Sequence, residues 1–131
     1  MKAYWDSSAL VQASADLALR RRLHAERGFT RSHTLAEIFS ALTAGNLAIR
    51  LDADGAAQAV ESLGQDLDFV DLTPQEMLAA LKQARKRGVR GGRVHDFMHA
   101  IAAEKSRASH LLTADENDFE SLTDSVKIEQ I

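Results

Sequence analysis

The amino-acid sequence predicts an α/β fold, rich in helix, in which helices cover both faces of a short and mostly parallel sheet. Short apolar runs of strand length alternate along the chain with longer segments of helical periodicity. Parallel neighbouring strands need helical crossovers between them, so this alternation favours layers of helix around a sheet. The 131 residues are 45% hydrophobic and 27% charged, which is typical of one globular domain spanning residues 1–131.

The first strand and the first helices follow from the opening residues. Ala3-Tyr4-Trp5 is a short apolar run that ends at Asp6, a residue type that often caps a following helix. Leucines then recur at roughly helical spacing from Leu10 to Leu23, and Gly28 ends this segment. One or two helices are expected there.

The next helix is predicted between a Ser32 cap and a Gly45-Asn46 stop. Its apolar stripe occupies positions i, i+3, i+4 and i+7: Leu35, Ile38, Phe39 and Leu42. At about 100° per residue Glu37 points away from this stripe, so periodicity alone places its side chain in solvent.

The second half of the chain continues the alternation of helices and strands. The predicted elements are an Ala-rich helix over 53–67, a strand over 69–72, a helix from the capping box Thr73-Pro74-Gln75-Glu76 to Gly88, a helix after Gly91-Gly92, a buried strand over 109–113 and an edge strand over 126–128.

Charge and composition exclude several classes of protein. Sixteen Lys and Arg against nineteen Asp and Glu give a net charge of −3, so no global basic field attracts nucleic acid. The absence of cysteine excludes disulfides, thiolate zinc sites and a Cys nucleophile. No stretch approaches the roughly 18 apolar residues of a membrane span, and a cytoplasmic protein without membrane contact is expected.

Three aspartates occupy places where a ligand site is expected in an open sheet. Asp6 and Asp115 directly follow predicted strands, and the carboxyl ends of neighbouring parallel strands meet in one crevice. Asp96 lies in the first turn of its predicted helix. Each also has a purely structural explanation, as a helix cap, a turn residue or a partner of the helix dipole.

Four sequence blocks, in this order, carry a resemblance to a known family: YWDSSAL, TLAEIFSAL, VHDFMHAIAA and LLTADENDF. They resemble the signature blocks of PIN-domain ribonucleases, in particular the VapC-type toxins of bacterial toxin-antitoxin pairs. The resemblance implies a PIN-like three-layer fold, a metal-dependent endoribonuclease and a metal-ligating, catalytic set on Asp6, Glu37, Asp96 and Asp115.

The same resemblance suggests residues around this acidic set. Ser7 and Thr113 are the hydroxyl neighbours that would orient water in the outer shell. Asp118 is a second candidate for the fourth acid, and Asp115 is preferred over it because Asp115 follows the strand end directly.

Such a set of acids requires a cation. Two carboxylates at 4 Å repel by about 4 kcal/mol even at an effective dielectric near 20, and all-oxygen sites select Mg²⁺ or Mn²⁺. The implied reaction is metal-assisted hydrolysis of an RNA phosphodiester, which leaves 5′-phosphate and 3′-hydroxyl ends.

RNA and protein partners are also implied. A basic run immediately before Asp96 is the candidate for RNA contact: Lys82, Arg85, Lys86, Arg87, Arg90 and Arg93. Resemblance to VapC toxins implies a cognate antitoxin that inserts an Arg or Lys among the acids, and a homodimer with possible contacts at Leu10, Val11 and Phe39.

Two alternatives stay open on sequence alone. One is a PIN-like fold that only binds protein, with its acids capping helices or solvated. The other is a zinc hydrolase, because His95-Asp96-Phe97-Met98-His99 mimics HExxH, although Asp is shorter than Glu and a third ligand is missing.

Overall fold

The computed structural model describes residues 2–45 and 50–131. Its elements in chain order are β1 (Ala3–Trp5), α1 (Ser7–Ala15), α2 (Leu17–Glu26), β2 (Gly28–Thr30), α3 (His33–Thr43), α4 (Ala53–Gly64), β3 (Leu67–Phe69), α5 (Pro74–Leu81), α6 (Arg93–Ser106), β4 (His110–Thr113), a 3₁₀ helix (Glu116–Phe119) and β5 (Lys127–Gln130).

The five strands form one sheet in the order β3-β2-β1-β4-β5, and every neighbouring pair runs parallel. The first strand therefore lies at the centre of the sheet, between β2 and β4. This arrangement confirms the helix-rich α/β fold with a parallel sheet, and the predicted edge strand is an edge.

Apolar side chains of alternate strand residues pack into two cores on opposite faces of the sheet. Trp5 and Leu112 face one core, which is completed by α1, α2, α3 and α4. Tyr4 and Leu111 face the other, which is completed mainly by α6. Successive side chains of a strand point to opposite faces, so the two cores confirm the three-layer arrangement.

β2 is the element that the sequence did not predict. Gly28 was expected to end a helix, but it begins the strand and pairs with Ala3 of β1. A Cβ atom at Gly28 would lie 2.6 Å from Trp5 Cδ1, so glycine is required for this close approach. A glycine followed by only two further strand residues gives too weak a pattern to detect.

Several predicted boundaries shift in the structure. The Ala-rich helix ends at Gly64 rather than at residue 67, and the strand predicted over 69–72 is Leu67–Phe69. The helix opened by the Thr73 capping box is present but ends at Leu81, and turns continue to Gly88. Gly45 adopts φ 77°, and its predicted partner Asn46 lies outside the described residues.

Helix α3 is rotated from the orientation that its apolar stripe predicts. Its buried residues are Thr34, Ile38 and Leu42, whereas Phe39 is 37% exposed. The rotation moves Glu37 from the predicted solvent-facing position to a half-buried one. Ser32 precedes the helix without capping it, because its hydroxyl donates to Asp71 Oδ2 at 2.7 Å.

Two further observations concern contacts with a second copy of the chain and with a membrane. Leu10 is fully buried in the core, so this candidate dimer contact is wrong, whereas Phe39 remains accessible. Among the helices of residues 2–45 and 50–131, none has the length and apolarity needed to cross a bilayer.

Candidate active site

Asp6 lies at the carboxyl end of the central strand. Its backbone N–H donates to Leu112 O at 3.1 Å, which ties it to the end of β4, and the residue is only 4% exposed. Its Oδ1 atom accepts from Ala9 N at 2.8 Å and from Ser8 Oγ at 2.7 Å. Asp6 therefore caps α1, as the sequence suggests, and this cap fixes the carboxylate at the sheet edge.

A pair of hydroxyls connects Asp6 to the end of β4. Ser8 Oγ lies 3.3 Å from Thr113 Oγ1 and accepts from Ala114 N at 2.9 Å. Thr113 is thus beside Asp6, where the resemblance puts it. Ser8, which the sequence analysis did not single out, contacts the Asp6 carboxylate, whereas Ser7 lines an open pocket that it shares with Glu37 and His95.

Burial raises the pKa of Asp6 above its ordinary value. The N–H of Ala9, the hydroxyls of Thr113 and Ser8, and positive charge at His99 oppose this rise without cancelling it. The folded protein therefore stabilises the negative charge of Asp6 less well than water does.

Asp96, in the first turn of α6, is coupled to the other acids. Its pKa is raised from 3.8 to about 6, first because the group is desolvated and then because the negative charges of Asp118, Asp6 and Glu37 act on it. We call Asp6, Glu37, Asp96 and Asp118 the carboxylate cluster. Asp6 follows β1, Glu37 lies in α3, Asp96 in α6 and Asp118 in the 3₁₀ helix, and the charges of the other three acids act on Asp96.

Glu37 has a defined partner rather than free solvent around it. Its Oε1 atom lies 2.9 Å from His99 Nε2, and its side chain is 23% exposed. Burial would raise the pKa of Glu37, but the hydrogen bond from His99 and the positive charges of His99, Arg31 and His33 outweigh burial, and the pKa is lowered. Glu37 therefore stays ionised.

His99 is 1% exposed and uses both ring nitrogens inside the protein. Nδ1 lies 2.7 Å from Tyr4 Oη, and the two rings meet edge to face with centroids 5.7 Å apart. Since Nε2 faces Glu37, neither nitrogen is available to a zinc ion, and His95 is exposed. The zinc-hydrolase alternative is therefore not favoured.

The two candidates for the fourth acid, Asp115 and Asp118, are both exposed but have different surroundings. Asp115 is exposed and caps the 3₁₀ helix by accepting from Asn117 N at 3.0 Å. Asp115 accepts a bond within the 3₁₀ helix, whereas Asp118 is the largest source of negative charge acting on Asp96. We therefore include Asp118 in the carboxylate cluster, and Asp115 stays a candidate.

The comparisons with known proteins agree with this geometry. The PIN-domain family matches residues 3–124. The chain belongs to the PIN-domain family. Its fold is similar to the crystal structure of PAE2754 from Pyrobaculum aerophilum, with a TM-score of 0.73, 20% identity, and coverage of 98% of this chain and 89% of that chain. The search of curated proteins gave no match.

PIN domains are generally nucleases that depend on divalent metal ions. In the ranges 2–45 and 50–131, no group of three His, Asp or Glu side chains is arranged to hold a metal as it stands. The donor chemistry nevertheless fits, because the cluster is all-oxygen and its members repel one another. A hard divalent cation is the ligand that would relieve this repulsion.

The basic run of this PIN domain divides into two groups. Arg87 pairs with both carboxylate oxygens of Asp124, at 3.0 and 2.8 Å, and Arg93 donates to the backbone carbonyls of Arg87, Gly88 and Glu120. These two arginines hold the loop between α5 and α6. The four other cations of the run are exposed: Lys82, Arg85, Lys86 and Arg90.

Arg31 is a further basic residue that sequence reasoning missed. It follows β2 at the same sheet edge, is only 9% exposed, and its positive charge lowers the pKa of Glu37 and of Asp71. Its Nε atom is buried without a hydrogen-bond partner in the described part of the chain. No periodicity marks such a residue, because the strand before it was itself undetected.

Proposed function

We propose that the protein is a metal-dependent endoribonuclease that hydrolyses RNA phosphodiester bonds and acts as the toxin of a toxin-antitoxin pair, working as one PIN domain over residues 1–131. The observation that carries the proposal is the carboxylate cluster, in which the charges of three acids raise the pKa of Asp96. Repelling acids at the carboxyl ends of parallel strands are poor packing devices and good cation ligands.

Asp6, Glu37 and Asp96 would hold a Mg²⁺ or Mn²⁺ ion, and Asp118 or Asp115 would complete the site. When bound, the cation supplies Lewis-acid chemistry that makes water more acidic and stabilises charge on the phosphodiester. The protein side chains orient the reactants: Ser8 and Thr113 fix Asp6, and His99 fixes Glu37. No side chain is assigned as the nucleophile.

The four exposed cations, Lys82, Arg85, Lys86 and Arg90, are the proposed contacts to the RNA backbone. They lie in the segment that leads directly into α6 and Asp96. Such contacts are needed because an acidic cleft repels phosphate, and the net charge of −3 gives no general attraction.

The test is incubation of purified protein with total RNA and Mg²⁺ or Mn²⁺, followed by mapping of the cut ends. Cleavage with 5′-phosphate and 3′-hydroxyl ends is expected in the wild type, and EDTA should abolish it. Asp6→Asn is the matched variant, because asparagine still caps α1 while the negative charge is lost. Equal cleavage by the wild type and Asp6→Asn would refute the proposal.

The toxin role has its own test. Induced expression of the wild type should arrest bacterial growth, whereas Asp6→Asn should not. The proposed antitoxin would insert an Arg or Lys among the carboxylates, replacing the charge of the cation. A cytoplasmic location, consistent with the lack of cysteine, and a homodimer with Phe39 and Val11 at the contact are part of the same proposal.

A further inference from the structure

We infer that His99 is a positioning residue that holds the Glu37 carboxylate in the cation site, and that Tyr4 orients the His99 ring for this task. This inference deepens the proposed function and rests on it. The three side chains, Tyr4, His99 and Glu37, form a continuous chain of hydrogen bonds, which we call the Tyr4–His99–Glu37 chain.

The chain runs from the core to the edge of the sheet. Tyr4 is fully buried on β1, and His99 is 1% exposed on α6 between the buried residues Met98 and Ala100. Only Glu37, on α3, reaches the open side, where its side chain is 23% exposed. The central strand β1 and the helices α6 and α3 are thereby joined through polar atoms.

The chemistry of the two ends fixes where the proton of His99 lies. His99 Nε2 lies 2.9 Å from the carboxylate oxygen Oε1 of Glu37, an acceptor, so Nε2 carries the hydrogen of this bond. Burial raises the pKa of Tyr4, so its hydroxyl stays protonated, and it lies 2.7 Å from His99 Nδ1. A ring with a hydrogen on Nε2 therefore satisfies both ends of the chain.

This arrangement prepares Glu37 for a ligand. The hydrogen bond engages Oε1, so the Glu37 carboxylate is oriented before a cation binds. Part of the side-chain entropy is therefore lost when the protein folds and not when the cation binds. Partners of this kind behind a metal ligand change metal affinity by about 10- to 100-fold when they are removed.

Packing alone does not account for a histidine at this position. The core on this face of the sheet is built from hydrophobic side chains, and a buried imidazole is tolerated there only when its nitrogens are paired. One ring nitrogen of His99 pairs with the core residue Tyr4, and the other pairs with Glu37 of the carboxylate cluster. A hydrogen bond directed at a half-exposed acid indicates a role in the site.

The experiment compares two amides at residue 99 by Mn²⁺ titration calorimetry. In His99→Gln the amide nitrogen lies close to the former Nε2 position and can still donate to Glu37, whereas in His99→Asn it reaches only toward Tyr4. We expect His99→Asn to weaken Mn²⁺ binding about 10-fold or more, and His99→Gln to stay within about 3-fold of the wild type. Tyr4→Phe should fall between them.

Thermal unfolding of each variant separates positioning from folding. A purely structural role would lower the melting temperature of the variants without this order in Mn²⁺ affinity, and that result would overturn the inference. If the wild type binds Mn²⁺ and cleaves RNA but His99→Asn binds Mn²⁺ equally well, the inference fails and the proposed function stands. If the wild type binds no Mn²⁺, both fail.

A second measurement needs no variant and no metal. Nitrogen NMR of the ¹⁵N-labelled wild-type protein reports which ring nitrogen of His99 carries the proton. A protonated Nε2 is expected, and His99→Asn identifies the resonance by its loss. A neutral ring protonated only at Nδ1 cannot donate to Glu37, so that spectrum would overturn the inference whatever the variants show.

Discussion

Asp96 is held in the folded protein where its charge is unfavourable. Desolvation and three neighbouring carboxylates raise its pKa from 3.8 to about 6. The folded state therefore binds the Asp96 proton more tightly than the unfolded chain does. Ionised acids in proximity are what the proposed cation site requires.

The cost to stability should appear as a pH dependence. Ionised Asp96 destabilises the fold above about pH 6, and the penalty disappears as pH falls through the range from about 6 to 3.8. Asp96→Asn should therefore raise the melting temperature without metal at pH 7 to 8, with a gain that shrinks toward pH 4. Glu120→Gln, at an exposed residue outside the cluster, is the control and should show no such trend.

A bound cation should reverse the order of stability of the wild type and Asp96→Asn. In saturating Mn²⁺ the wild type should gain stability, by about 2.7 kcal/mol when the ion is at 100 times its dissociation constant. Asp96→Asn should gain much less, which differential scanning fluorimetry with and without EDTA would measure. An equal gain in both proteins would place the binding of Mn²⁺ elsewhere.

Among the candidate site residues, the sequence predicts the positions of some and misses those of others for a physical reason. Asp6 and Asp96 are found because a strand end and a helix start mark them. Glu37 is misplaced because helical periodicity gives the angle between residues and not the rotation of α3 against the sheet. His99 looked like a zinc ligand, since no pattern reveals that Tyr4 lies opposite its ring.

Among the elements, β2 shows how close packing can depend on one missing atom. Gly28 lies against the Trp5 indole, and an added Cβ would also be 3.2 Å from Leu23 Cδ1. β1 and α2 both contact this point. The strand that leads to Arg31 and α3 is therefore fitted directly against the strand that leads to Asp6.

Gly28→Ala should destabilise the protein by about 1–3 kcal/mol, because a well-packed core does not accept an additional methyl group. Gly64→Ala is the control: nothing lies within 4 Å of its added Cβ in α4, and a helical alanine should be neutral or stabilising. Urea unfolding followed by the fluorescence of Trp5, the single tryptophan, measures both. Equal midpoints for the two variants would contradict the close contact.

Elements with local signals were predicted well, and those that depend on tertiary contacts were not. The capping box at Thr73 and the glycines before Arg93 set two helix starts within the chain itself. The end of α5 at Leu81 has no such signal before Gly88. β2 exists because β1 and β3 lie on either side of it.

Across the whole molecule, some charged side chains are exposed and others are held in ion pairs that stabilise the fold. The net charge is −3, and the exposed cations Lys82, Arg85, Lys86 and Arg90 are concentrated in one segment. Within that segment Arg87 is committed to Asp124. RNA affinity and fold stability should therefore respond to different members of one basic run.

The combined variant Lys82→Ala, Arg85→Ala and Lys86→Ala should weaken RNA binding and lower the salt dependence of binding by about 2 in logarithmic slope, at about 0.7 per phosphate contact on a single strand. Its melting temperature should stay near that of the wild type. Arg87→Ala should lower the melting temperature and leave RNA binding nearly unchanged, because it removes contacts to Asp124 and Ser121 O. Filter binding at several salt concentrations tests this; an unchanged slope would exclude the three cations as RNA contacts.

The order of strands also has a consequence in time. The central strand, β1, is the first to be synthesised, yet its neighbour β4 begins only at His110. A nascent chain on the ribosome thus carries Asp6 from the outset while Asp96, Thr113 and Asp118 are still to come. The carboxylate cluster can therefore assemble only after residues 96–118 have left the ribosome.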